Sequence, residues 1–148
     1  MNYYMLVASA GVDLSDRPIT ADQIARARML DGEWPLYAKT RLKLALKSTD
    51  KCLVYLSGPP SVGQRFIGQF IVKELITAPS DWQEPIPDLL GTPASNLLLL
   101  ENVEMFDPPV EIRPLLNKLA LTKGKRLWGS SIMGGVTKQT ESDYRKIV

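Results

Sequence analysis

Three tryptophans and two runs of cations are the residues of this 148-residue sequence whose types and spacing could do chemistry. Trp34 lies in Asp31-Gly32-Glu33-Trp34-Pro35-Leu36-Tyr37-Ala38-Lys39-Thr40-Arg41-Leu42-Lys43, a large aromatic in a Gly- and Pro-flanked bend with cations directly behind it. An indole so placed can stack on a nucleobase while the cations hold phosphate. It can equally plug the core where a loop turns under. A second segment of similar chemistry lies far along the chain: four cations without an acid from Lys118 to Arg126, matching the four from Lys39 to Lys47. On the binding reading, Lys39, Arg41 and Lys43 lie near a pocket mouth, and Lys123, Lys125 and Arg126 add a second set of phosphate contacts. The net charge of +2 is too small to make that case alone, so the distribution must carry it.

Other chemistries are excluded or lack their parts. There is no histidine, which rules out Ser-His-Asp and Cys-His nucleophilic sites and zinc sites of cysteine and histidine within this chain. Carboxylates such as Asp22 and Glu101 are not paired at a spacing useful for acid–base work. Gly58-Pro59-Pro60-Ser61-Val62-Gly63-Gln64-Arg65 has the two glycines of a phosphate-binding loop, but Gln64 replaces its lysine and Arg65 its hydroxyl. A strand-like FIGQFIV follows where a helix is needed, and two prolines remove backbone donors from the cradle. The expectation is a protein with no catalysis, metal or cofactor. The single cysteine, Cys52, sits in an apolar run, so no internal disulfide forms and a reducing compartment is expected. No run has the length of a membrane span and no export signal opens the sequence, so the expected location is the cytoplasm.

The elements that must position these residues read as follows. Tyr3 to Ala8 is a strand-length apolar run. Thr20-Ala21-Asp22-Gln23 has the form of a capping box, and Ile24, Ala27 and Leu30 give residues 21 to 30 a helical spacing, with Arg26 and Arg28 on a solvated face. Leu42, Ala45 and Leu46 fit a short helix, while Leu42, Leu44 and Leu46 fit a strand. Cys52 to Leu56 and Phe66 to Leu75 read as a hairpin with a long loop. Residues 78 to 96, with Trp82, form a proline-rich excursion of a length often functional. Asn96 to Phe106 is a further strand, Pro114 opens a short helix, and 123 to 135 is irregular, basic and glycine-rich. Thr140-Glu141-Ser142-Asp143 starts a closing helix that packs on Tyr144 and Ile147. The order suggests an α+β chain with a small closed or nearly closed sheet, residues 1–148 forming one domain.

The opening YYMLVAS, the Trp34 bend, GQFIVKE and the closing string LENVEMF…LLNKLALTKGKRLWGSSIMGG…TESDYRKIV together resemble the EVE domain. That family belongs to the PUA-like superfamily and is akin to the YTH domain. The resemblance implies a small PUA-like β-barrel of five to six strands flanked by short helices. It implies a non-catalytic pocket for a flipped, often methylated nucleobase in RNA or DNA. By the same resemblance Trp34 is an aromatic wall, Ser9 a small polar pocket residue, Trp128 the tryptophan of the closing string, and Trp82 a loosely matched cage aromatic. A flipped base needs such stacking walls and a few aimed polar groups. The remaining alternative is a protein–protein interaction module on the same barrel without base recognition.

Overall fold

In the computed structural model, which describes residues 1–132 and 135–148, the strands are β1 (Tyr3–Ala8), β2 (Gly11–Val12), β3 (Pro18–Ile19), β4 (Glu33–Leu36), β5 (Lys51–Leu56), β6 (Arg65–Thr77), β7 (Asn96–Glu111) and β8 (Val136–Gln139). Two α-helices accompany them, α1 (Ala21–Asp31) and α2 (Glu141–Ile147). Met133 and Gly134 of the closing string lie outside the described residues. No helix of the described residues is long and apolar enough to cross a membrane.

Strand alternation sends successive side chains to opposite faces, and β1 and β5 use both faces. They pair in parallel with Tyr4 opposite Cys52, Leu6 opposite Val54 and Ala8 opposite Leu56. These six side chains join a core under α1 that also holds Met29, Trp34 and Phe70. Met5 and Leu53, paired one position along, join a second core with Phe66, Ile112, Leu119 and Ile147. The full order is β4-β7-β6-β5-β1-β8, every pair antiparallel except β1 with β5. Register shifts interrupt β5–β6 once and β6–β7 three times. Each shift bends its strand, and together they curl the mixed sheet into a half-barrel. The α+β class and the six-stranded count follow the expectation.

The helix ends follow their local chemistry. The Thr20 hydroxyl accepts from the Gln23 N–H at 3.0 Å, and the Gln23 side chain accepts from the Thr20 N–H at 3.0 Å. Two of the orphan donors at the start of α1 are thereby met. Gly32 ends it at φ 78°, a left-handed cap that costs glycine little. The helix buries Ala21, Ile24, Ala25 and Met29 against the first core.

Several local expectations are corrected. Trp34 is not in an open bend: after Gly32 turns the chain, Glu33–Leu36 runs straight into edge strand β4 and pairs with β7. Proline at position 35 is tolerated there because an edge strand has one side free of ladder bonds. Residues 42 to 46 form neither helix nor strand but a series of turns. The helix expected from Pro114 is a 3-10 segment, Arg113–Leu115, followed by turns, and the irregular stretch contains a second, Trp128–Ile132. The strand expected to end at Phe106 continues to Glu111.

Candidate nucleic-acid interface

At the carboxyl end of β1 the chain leaves the sheet, and Ser9 and Ser57 meet there through hydroxyls 2.8 Å apart. Both follow the parallel pair directly, so the backbone register sets their contact. Next to Ser9 opens a cavity of about 840 Å3. Residues 9 to 12, α1, the stretch 37 to 39 and the loop 84 to 92 enclose it. Its apolar lining comes chiefly from Val12, Ile24, Ile86 and Leu90, and its polar groups include Ser9, Arg28, Tyr37, Lys39, Glu84 and Asp88.

Arg28 organises one wall. Its Nε lies 3.0 and 3.1 Å from the two carboxylate oxygens of Glu84, its Nη2 donates to Glu84 Oε2 at 3.1 Å, and the same nitrogen reaches the Tyr37 hydroxyl at 3.4 Å. The guanidinium carbon stands 4.8 Å from the centroid of the Trp34 ring, a cation–π distance. Only 11% of the Arg28 side chain and 16% of that of Glu84 are exposed. Burial pushes the Tyr37 phenol above its ordinary range, Glu84 and Asp88 push the same way, and Arg28 opposes them. Tyr37 is therefore a neutral phenol at physiological pH.

The 84–92 loop is fastened across the mouth by backbone bonds. Leu89 N–H donates to Val12 O at 2.8 Å, and Asp88 bridges to Asp13. The Asp88 carboxylate accepts from Leu90 N–H at 2.7 Å and lies on the Gly11 backbone, where a Cβ would come 2.5 Å from Oδ2. Glycine at position 11 leaves the carboxylate that room.

The expected site residues do not all meet. Ser9 and Lys39 line the cavity. Trp34 is 2% exposed, packed among the first core beside Phe70 with Arg28 over its ring, and offers no free face to a ligand. Trp82 is half-buried in the excursion, and Trp128 packs against the second core; neither lines the cavity. Of the cations, Arg41 and Lys125 come together in a separate groove with Lys138. Lys43 donates to Ser95 Oγ at 3.0 Å, while Lys123 and Arg126 are exposed. The sequence reading missed Tyr37, Glu84 and Asp88 and placed Arg28 on a solvated face. Arg26 is the solvated one, paired with Asp22 at 2.8 Å. The signal for Arg28 lay outside the helix, in the acids of a loop 56 residues away.

No protein-family model matches the chain, and no curated protein matches it in sequence. Solved structures do match. Human THYN1, in complex with 5-methylcytosine-containing DNA, is 10% identical over 99% of this chain and 95% of that one, with a TM-score of 0.54. The N-terminal domain of McrB from Staphylothermus marinus is 10% identical over 98% and 92%, with a TM-score of 0.51. Protein PSPTO5229 from Pseudomonas syringae is 13% identical over 98% and 96%, with a TM-score of 0.57. At these identities the likeness is one of fold, and the curled six-stranded sheet is consistent with a PUA-like barrel.

Proposed function

We propose that this chain is a non-catalytic nucleic-acid-binding module of EVE type that takes a flipped, methylated nucleobase into the cavity beside Ser9. The observation that carries the reading is the position and lining of that cavity. About 840 Å3 at the end of β1 falls in the range of small-ligand sites. It combines an aromatic ring, the aliphatic side chains of Val12, Ile24, Ile86 and Leu90 and a few polar groups, with a cation at Lys39. A fold shared with a protein bound to 5-methylcytosine-containing DNA supports the same direction. In this reading Tyr37 supplies the stacking wall first assigned to Trp34. Ser9 and Asp88 read the polar edge of the base. Trp34 serves from behind, holding the Arg28 guanidinium that steadies Tyr37.

Methyl selection follows from the apolar lining. A buried methyl group contributes about 0.8 kcal/mol, enough to offset part of the few kcal/mol that extrusion of a base costs. Glu84 is engaged by Arg28 and Asp88 Oδ1 by the Leu90 amide, which leaves Asp88 Oδ2 as the carboxylate oxygen for a base edge and suits recognition better than proton transfer.

The test is a titration of wild type and Tyr37→Ala with methylated and unmodified strands of DNA and RNA, with folding checked by circular dichroism. Loss of base stacking is worth roughly 1–3 kcal/mol, so the variant should bind the preferred strand about 5- to 150-fold more weakly. A folded Tyr37→Ala protein that keeps wild-type affinity and methyl preference would rule the cavity out as the base site.

A further inference from the structure

The two basic segments identified in the sequence converge at one place, and it is not the cavity. Arg41, from the turn after β4, and Lys125, from the stretch before the second 3-10 segment, line a groove of about 270 Å3 along β8. Lys138 of β8 completes a set of three cations there, and Ser130, Ser131 and Thr137 add hydroxyls. No acidic residue lines this groove, and none of the three cations forms an ion pair among the described residues. Lys125 Nζ only donates to Ser131 Oγ, at 3.3 Å. Asp143, the carboxylate of the adjoining hollow that Lys125 and Lys138 also line, is taken up by the Ala120 and Leu121 amides. The three like charges in the groove therefore repel one another, and an anion among them offsets that repulsion. Hydroxyls at the same spot supply neutral donors of the kind that phosphate oxygens accept.

The groove is also tied to the cavity. Lys39 lines the cavity and Arg41 the groove, so lining residues of the two sites stand two positions apart on the stretch after β4, their Cα atoms at most about 7 Å apart. Thr40, between them, packs towards the start of β8, its Cγ2 only 3.5 Å from where a Gly135 Cβ would stand.

We infer that this groove holds a backbone phosphate of the bound strand and so sets the register that delivers one base to the cavity. The inference rests on the reading of the cavity as a base site. Lys138 is its new member, placed by the fold and not by either basic run.

The experiment measures binding of a single-stranded oligonucleotide carrying one methylated base, against salt, for wild type, Arg41→Gln, Lys138→Gln and Tyr37→Ala. A control variant, Lys73→Gln, removes an exposed charge on β6. Each groove variant should lower the magnitude of the log K against log salt slope by about 0.7 and leave the ratio of methylated to unmodified binding unchanged. Tyr37→Ala should do the reverse, losing the ratio and keeping the slope. Neutral methylphosphonate linkages, placed singly along the strand, should identify one position near the methylated base at which Lys138→Gln has no further effect. The inference is overturned if both groove variants keep the wild-type slope, or if Lys73→Gln changes it as much as they do. It is overturned equally if no single linkage abolishes the Lys138 effect while inorganic phosphate alone competes at millimolar concentration, which would make the groove a site for the free ion. Loss of methyl preference is a separate readout, so failure of the cavity reading is recognisable on its own.

Discussion

Arg28 shows how one side chain can serve packing and a binding wall together. Its guanidinium covers the indole of Trp34 and is held by the Glu84 carboxylate, so an aromatic that reads as a ligand platform becomes part of the core. Trp34→Ala should therefore act first on stability, lowering it by about 3–5 kcal/mol as large core truncations do. Urea unfolding measures this, and a fully stable Trp34→Ala protein would contradict the burial. Tyr55 gives a pH prediction. Burial in the second core pushes its phenol up to about 12 from an ordinary value of 10.0, with Arg113 opposing. The folded state then holds its proton more tightly than the unfolded state does. That stability is complete below pH 10 and is lost as the pH rises towards about 12. Urea midpoints at pH 9 and pH 11 should show the fall, and Tyr55→Phe should reduce it.

Elements differ in how openly the sequence announces them. The continuous apolar runs of β1 and β5 and the capping box of α1 are local patterns, legible because a few consecutive residues determine them. The strand at Trp34 was not, because Gly-Glu-Trp-Pro reads as a bend until β7 is known to lie beside it. The buried pairing of Arg28 was hidden for the same reason, since helical spacing says nothing about a loop that folds over it from 56 residues away. Of the candidate site, Ser9 and Lys39 were visible from sequence, while Tyr37, Glu84 and Asp88 became visible only when the 84–92 loop was seen across the mouth. The closing helix carries an element-scale prediction. Asp143, 1% exposed, accepts from the Ala120 and Leu121 N–H groups at 2.8 and 3.1 Å and so fastens α2 to the turns that follow β7. Asp143→Ala leaves two amides without that acceptor and should cost about 2–3 kcal/mol. Denaturant unfolding measures the loss, and amide exchange at Ala120 and Leu121 should quicken with it.

On the scale of the whole molecule, the sheet joins the two ends of the chain. Tyr3 pairs with Gln139 and Leu6 with Val136, and the other partner of β1 is β5, which begins only at Lys51. β1 is therefore flanked by one strand at Lys51–Leu56 and one at Val136–Gln139, both distant along the sequence. Pairings so distant must close long loops before any contact rewards them, which makes them late steps in folding. A chain ending at residue 135 lacks β8 and α2. It should fail to protect the amides of β1 from hydrogen exchange, and protection equal to that of the full chain would contradict this order. β1, whose end at Ala8 leads into Ser9, thus precedes both of its partners along the sequence and is among the last strands to be locked. The cavity beside Ser9 then takes its final form only after β1 has found both of its partners, so the proposed base site is a property of the closed sheet and of no single segment.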